Sequence, residues 1–368
     1  MSKKTVDTIL SWGVALAVAL LIANAVSFAY RSGAGSIQRA NAFSTSIRTP
    51  NTVIVRGAEG YGINAVDERG YLNDNTLPLK EHYILMMGSS HAEGLQIMQE
   101  DTMTSVLNRM LDPNERTVYN IGTAGQTFPL IVEGFRAAME EFPDAAGVMM
   151  EISRLEFSEA DFARAMDQAE YDPASSGIAL EQSLGFSRRL RNNILGVLPV
   201  ISQLRQQFDS MDFSMRDAFG IAALLEKNKA AAANEAAPSP ATSAPAAQTG
   251  ESAYAARMNQ VFALLRSEFD GPILILYHSG VMLLPDGTLL IKRETEYYDD
   301  FKQACENNGI ILLDASDAFL RAYEADYSLP YGFNNTTMAS GHLNTLGHRL
   351  LAEEFYKAWM QIQDKEKN

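Results

Sequence analysis

The chain has 368 residues, 46% of them hydrophobic, with a formal net charge of -15 and a single cysteine. One cysteine excludes a disulfide within the chain. Acidity of this size, with no cluster of Lys and Arg, excludes nucleic acid as a main partner, because phosphate contacts need concentrated positive charge. The first element is an apolar run, Ile9 to Ala29, interrupted only by Ser11, Gly13, Asn24 and Ser27 and preceded by Lys3 and Lys4. Its length suits a bilayer crossing with the lysines inside, so residues 1–30 read as an N-terminal transmembrane anchor with the rest of the chain extracytoplasmic. The alternative is a secreted chain cleaved after Ala25, since Ala23-Asn24-Ala25 has the small residues of a processing site.

Residues 31–50 read as a linker and 51–362 as one domain. Within it, short apolar runs alternate with segments of helical periodicity, the pattern of an α/β domain on a central parallel sheet. A strand is predicted over 82–87 and a helix over 101–111, opening on Asp101 or Thr102. A strand over 117–121 follows, then a helix capped by Thr127 with Pro129 in its first turn, reaching about Phe142. Strands over 147–152, 272–277 and 310–313 alternate with helices over 258–269 and 295–308, the latter ended by Gly309. A closing helix over 345–360 is capped by Asn344. Two insertions interrupt this order. One is a helical segment, 158–228, rich in Met, Gln and Arg, which serves either as a solvated face or as a lid or docking surface. The other is an Ala/Pro/Ser-rich stretch, 229–252, predicted disordered because it cannot build a core. Cys305, on a predicted helix, reads as a small core residue.

Candidate chemistry begins where the first strand of this alternation ends, at Gly88-Ser89-Ser90-His91. A strand-to-helix turn exposes a serine hydroxyl and gathers backbone N–H groups at one point, at the sheet edge where sites in open α/β folds collect. A serine before a helix also serves as a plain N-cap, so the turn needs support from elsewhere. Glycines in Asn120-Ile121-Gly122-Thr123-Ala124-Gly125, between a strand and a helix, allow close backbone approach to a ligand. Downstream, Gly341-His342-Leu343-Asn344 offers a base.

Taken together, these blocks resemble the SGNH or GDSL hydrolase superfamily over most of the chain beyond the anchor. Gly88-Ser89-Ser90 with Gly94 is similar to its first block, with Ser89 in place of the aspartate. The resemblance implies a three-layer flavodoxin-like fold, Ser90 as nucleophile, His342 as base, and the N–H groups of Ser90 and Gly125 as the oxyanion hole. Two positions depart from the pattern. Leu155 falls near the asparagine that supplies a side-chain oxyanion donor, leaving Ser153, Arg154 or an asparagine from elsewhere as replacements; an unreplaced donor costs roughly 10²- to 10³-fold in rate. The triad acid's place, three residues before the histidine, is Ala339. His342 must then be oriented by the Ser340 hydroxyl, a backbone carbonyl, or a distant acid such as Asp314 or Asp317.

Of the five histidines, His348 reads as structural, while His91 either contacts substrate or caps the turn. His278 precedes Ser279-Gly280, a loop that can border the same cleft, and Ser89 and Asn344 join the candidate lining residues. No His-x-x-x-His spacing is present, so neither metal nor cofactor is expected. Two functions follow. One is a serine esterase or O-acyltransferase acting on acylated glycan or a small ester, for which the resemblance implies a membrane-bound acyltransferase partner. The other is a catalytically degenerate module that binds glycan or scaffolds a surface polysaccharide assembly.

Overall fold

The computed structural model describes residues 2–32, 36–73, 82–112, 116–172, 200 and 252–367. The chain divides into two compact units, one of Met1–Ala29 with Val197–Gly250, the other of Tyr30–Gly196 with Glu251–Asn368. In the first, α1 (Lys3–Tyr30) contains a stretch, Lys3–Ala29, long and apolar enough to cross a membrane, its apolar 18-residue window unburied. At 1.5 Å per residue it spans roughly 40 Å, against about 30 Å for a hydrocarbon core.

The second unit is built on a five-stranded, wholly parallel sheet. Its strands are β6 (Ile84–Met87), β7 (Val118–Asn120), β8 (Gly147–Ile152), β9 (Ile273–Tyr277) and β12 (Ile311–Asp314). Their spatial order is β12-β9-β8-β6-β7. This is the flavodoxin-like order, whose direction of winding reverses between β6 and β8. Alternation along the strands sorts side chains onto two cores. Leu85, Met87, Val148, Met150, Ile273 and Ile275 face a cluster with Phe128, Phe135, Phe262 and Phe301. Ile84, Met86, Met149, Leu274 and Leu276 face another with Leu107, Phe319, Phe355 and Trp359. The first set of helices comprises α4 (Phe128–Glu133), α5 (Phe135–Glu141), α7 (Ala253–Glu268) and α8 (Thr295–Asn307). The second comprises α3 (Met103–Met110), α9 (Ser316–Asp326) and α10 (Thr345–Lys367). The expected three layers are therefore present, with Cys305 of α8 inside the first core and its thiol pKa pushed up by burial.

Of the two residues expected to open α3, Thr102 is the cap, its Oγ1 accepting the Ser105 N–H, while Asp101 ends a short 3₁₀ turn, so this boundary agrees with expectation. Several other boundaries differ from expectation for identifiable reasons. The helix predicted from Thr127 to Phe142 breaks at Gly134. There the Ala42 carbonyl and Phe43 lie 2.5 Å from where a Cβ would stand, so only glycine admits them. Thr127 occupies the N-cap position without a side-chain capping bond. The hairpin of β10 (Val281–Leu283) and β11 (Leu289–Ile291), and α9 as well, lie where no element was predicted.

The supposed linker 31–50 is structured over its described residues, 31–32 and 36–50. It holds β1 (Arg31–Ser32) and the antiparallel pair β2 (Ser36–Asn41) and β3 (Ser44–Arg48), and it places Phe43 and Ile47 in the first core. β1 joins β4 (Val53–Arg56) and β5 (Gly62–Ala65) in a small antiparallel sheet. The domain thus begins near residue 30, because two large apolar side chains before residue 51 are needed to close its core. Of the helical insertion, α6 (Glu159–Met166) is described, with Ser158 and Asp161 forming a capping box. Residues 173–199 and 201–251, which include most of both insertions, lie outside the described residues.

Candidate active site

Ser90 stands just past the C-terminal end of β6, beside the β6/β8 reversal, at the start of α2 (Ser90–Glu93). Ser89 is the N-cap of this turn; its Oγ accepts the His91 N–H and donates to Glu151 Oε2 at 2.9 Å. The Ser89 N–H donates to the same oxygen at 2.8 Å. Ser89 therefore anchors the turn to β8.

The Ser90 hydroxyl lies 2.9 Å from His342 Nε2, and His342 Nδ1 lies 2.7 Å from Glu59 Oε2. The other carboxylate oxygen of Glu59 accepts the His342 backbone N–H at 2.8 Å. One carboxylate thus grips the histidine at ring and backbone, holding the proton on Nδ1 and leaving the Nε2 lone pair toward Ser90. Gly341, with φ +82°, is required here, since a Cβ would stand 2.3 Å from Glu59 Oε1. Side-chain exposures of 27% for His342 and 25% for Glu59 leave the pair reachable from solvent.

The orienting group is thus neither Ser340 nor Asp314 nor Asp317. Ser340 and Asp317 are exposed, and Asp314 is engaged by Arg293 at 2.7 Å. Glu59 comes from the loop between β4 and β5, far from His342 in sequence, and no local pattern distinguishes it among the chain's 45 acidic residues. The small sheet delivers it: Gly60 N–H donates to Asn335 Oδ1, tying this loop to the segment that carries His342.

Behind the turn lies a second, fully buried network. Glu151 Oε1 is 2.6 Å from His278 Nε2, His278 Nδ1 is 2.6 Å from the Tyr331 hydroxyl, and that hydroxyl donates to the Ser279 carbonyl at 3.0 Å. Burial alone would raise the Glu151 pKa; the hydrogen bond and charge of His278, with His91 and the Ser89 N–H, hold it down at about 2. His278 is therefore buried beneath the turn rather than bordering a cleft. An acidic residue inside six buried strand positions was the signal that could have found Glu151, because a buried carboxylate must have partners. His91 packs between His278 and His342, with ring centroids 4.8 and 5.1 Å away, and its Nδ1 accepts the Leu343 N–H at 3.2 Å. Desolvation, with smaller contributions from the neighbouring histidines, lowers its pKa to about 3. His348, buried with its Nδ1 accepting the Met103 N–H, is likewise pushed down to about 3.

The loop 122–126 is pinned on three sides. Thr123 N–H donates to the Gly88 carbonyl at 3.1 Å, Asn120 bridges the Gly122 N–H and the Ala92 carbonyl, and Thr45 Oγ1 donates to the Ala124 carbonyl. Ala124 N–H donates to Glu93 Oε2, whose other oxygen is held by Arg48 Nε at 2.8 Å. Among the described residues neither the Ser90 N–H nor the exposed Gly125 N–H has an acceptor. Past β8, Ser153 and Arg154 are exposed, with Arg154 facing Glu156 at 3.6 Å, and no hydrogen bond joins either to Ser90 or His342. Leu155 is buried in the first core. Asn344 spends its side chain on the Leu329 and Gly332 carbonyls and the Gly347 N–H, so it shapes the turn after His342 rather than lining a cleft.

No family model matches the chain, and no curated protein matches it. Solved structures do. A psychrotrophic esterase from Pseudoalteromonas sp. is 9% identical with a TM-score of 0.38, the match covering 77% of this chain and 99% of that one. An acetyl xylan esterase is 11% identical with a TM-score of 0.36 over 75% and 98% of the two chains. A member of the lipolytic G-D-S-L family from Veillonella parvula is 9% identical with a TM-score of 0.35 over 76% and 98%. At such identities and TM-scores no residue role passes to this chain, whose chemistry rests on its own side chains.

Proposed function

We propose that the chain is a serine-dependent ester hydrolase or O-acyltransferase of the SGNH type. The observation that carries this reading is the unbroken line Glu59–His342–Ser90, with separations of 2.7 and 2.9 Å. In the proposed reaction His342 Nε2 takes the Ser90 proton as Oγ attacks the ester carbonyl, while Glu59 steadies the imidazolium that forms. The oxyanion is met by the Ser90 and Gly125 N–H groups, the latter on a loop whose Gly122, Thr123, Ala124 and Gln126 N–H groups are already committed. His342 then gives its proton to the departing alkoxide, leaving an acyl-serine. Water, or an acceptor hydroxyl in the transfer reaction, gives up a proton to His342 as it attacks that ester, and His342 returns it to Ser90 Oγ as the acyl–Oγ bond breaks.

In its finer form the proposal is that α1 anchors the enzyme with Lys3 and Lys4 inside the cell and the catalytic domain outside. There it would act on an acylated surface glycan, taking or giving acyl groups together with a membrane-bound acyltransferase. The length and apolarity of α1 support the anchoring, and side-chain exposures of about one quarter at His342 and Glu59 leave the site reachable by a substrate. The full chain in detergent, offered a fluorophosphonate probe and an aryl acetate, should label and turn over, and Ser90→Ala should do neither. Equal behaviour of wild type and Ser90→Ala would leave the degenerate glycan-binding module as the better reading.

A further inference from the structure

We infer that a cleft beside the Gly125 loop binds a carboxylate-bearing glycan, with Arg56 as its anion-binding group. This deepens the esterase reading and rests on it for the identity of the reacting ester. The cleft, of about 680 Å³, lies between the β2–β3 hairpin, the end of β4, the 122–126 loop and helices α4 and α6. That volume is in the usual range of small-molecule sites.

Three arginines and one glutamate line it, in a chain whose net charge is -15. Two of the arginines are already engaged: Arg48 by Glu93, and Arg164 by Glu133 at 2.6 Å. Arg56 is different. It is only partly exposed, and among the described residues its guanidinium has neither an ion pair nor a hydrogen bond. A guanidinium in a concave wall presents a fixed fork of donors matched to a carboxylate, and it is weakly enough hydrated to be held there unpaired.

The remaining wall suits a sugar. The Ser46 hydroxyl has no partner among the described residues and lies beside Thr45, while the backbone of Ala124 leads directly into Gly125. Position links the cleft to the chemistry from both sides. Arg56 ends β4, the strand leading into the loop that carries Glu59, and Ala124 is the residue next to the unoccupied N–H of Gly125. A glycan seated with its carboxylate on Arg56 would therefore extend along the same loop that faces the reacting ester.

The test measures binding rather than turnover. Full-length protein carrying Ser90→Ala, in detergent, is titrated calorimetrically with an oligogalacturonate and with a xylo-oligosaccharide of equal length. The acidic ligand should bind about tenfold tighter or more, the scale of one charge-assisted contact, and added salt should shrink the difference. Arg56→Gln should erase the preference and Arg56→Lys should keep part of it, the thermal melts of both checking that each variant folds. Equal affinity for the two ligands, a preference that survives Arg56→Gln, or no binding of either overturns the inference. Because no ester is cleaved in this measurement, an inactive wild type would sink the esterase reading without altering these titrations. A failed titration beside an active wild type would sink only the carboxylate site.

Discussion

Replacing Glu59 by Gln isolates the least expected part of the site. The carboxylate accepts two N–H groups of one residue, the His342 ring and the His342 backbone. An amide has one oxygen and one NH₂, so it can satisfy only one of them. If its oxygen stays on the backbone N–H, the NH₂ faces Nδ1 and drives the ring proton to Nε2, where it points at Ser90 and the base is lost. If the oxygen takes the ring, a donor confronts the backbone donor and His342 shifts. In both cases the imidazolium loses its counter-charge. Loss of a triad acid costs up to about 10⁴-fold. Here both partners are about one quarter exposed, so water replaces part of the interaction and the lower part of that range applies. The expected fall in kcat/KM on an aryl acetate is about 10³-fold, or about 4 kcal/mol of transition-state stabilisation. Fluorophosphonate labelling should slow in parallel, with an unchanged melting temperature as the check on folding. A fall of less than about tenfold in a folded variant would refute Glu59 as the orienting acid.

Three further outcomes follow from the same geometry. Glu151→Leu strands buried His278 and releases Ser89, so it should destabilise the protein by about 3–5 kcal/mol in urea unfolding, and a loss below about 1 kcal/mol would contradict the buried pairing. Gly125→Ala meets nothing closer than Thr45 Oγ1 at 4.0 Å, but it carries φ +82°. It should cost about 1 kcal/mol of stability in urea unfolding, because an L side chain is strained at that φ, and an unchanged midpoint would contradict the left-handed backbone there. His91 and His348, both with folded pKa values near 3, bind fewer protons folded than unfolded. Stability should therefore be complete above about pH 6.5 and fall toward pH 3 by about 1.4 kcal/mol per pH unit for each group, with Glu151 adding to the loss below about pH 4.5. His348→Gln should remove about half of that slope near pH 5; a slope that stays the same in urea titrations would place the proton uptake elsewhere.

Much of this was legible from the chain because it depends on neighbours in sequence. The strands β6, β8 and β9 are short runs of apolar residues, and burial on both faces of a parallel sheet requires such runs. The serine turn and the glycine loop were readable because each is set by a few consecutive residues following a strand. His342 was found through the block around it. What sequence could not supply was long-range pairing between charged groups. Glu59 sits in a short loop with nothing local to mark it, and it becomes the partner of His342 only because the small β1-β4-β5 sheet and the Asn335 contact carry that loop to the far end of the chain. Glu151 and His278 pair because adjacent parallel strands end side by side. Arg48 holds Glu93, and through it the loop near Ser90, from a segment whose weak patterning reads as a linker. The amino-acid order determined the sheet, its layers and the serine and histidine, since hydrophobic period and turn chemistry act over a few residues. Tertiary structure alone decided which acid meets that histidine and which arginine of the cleft stands without a partner among the described residues, because an ion pair is chosen by distance in space.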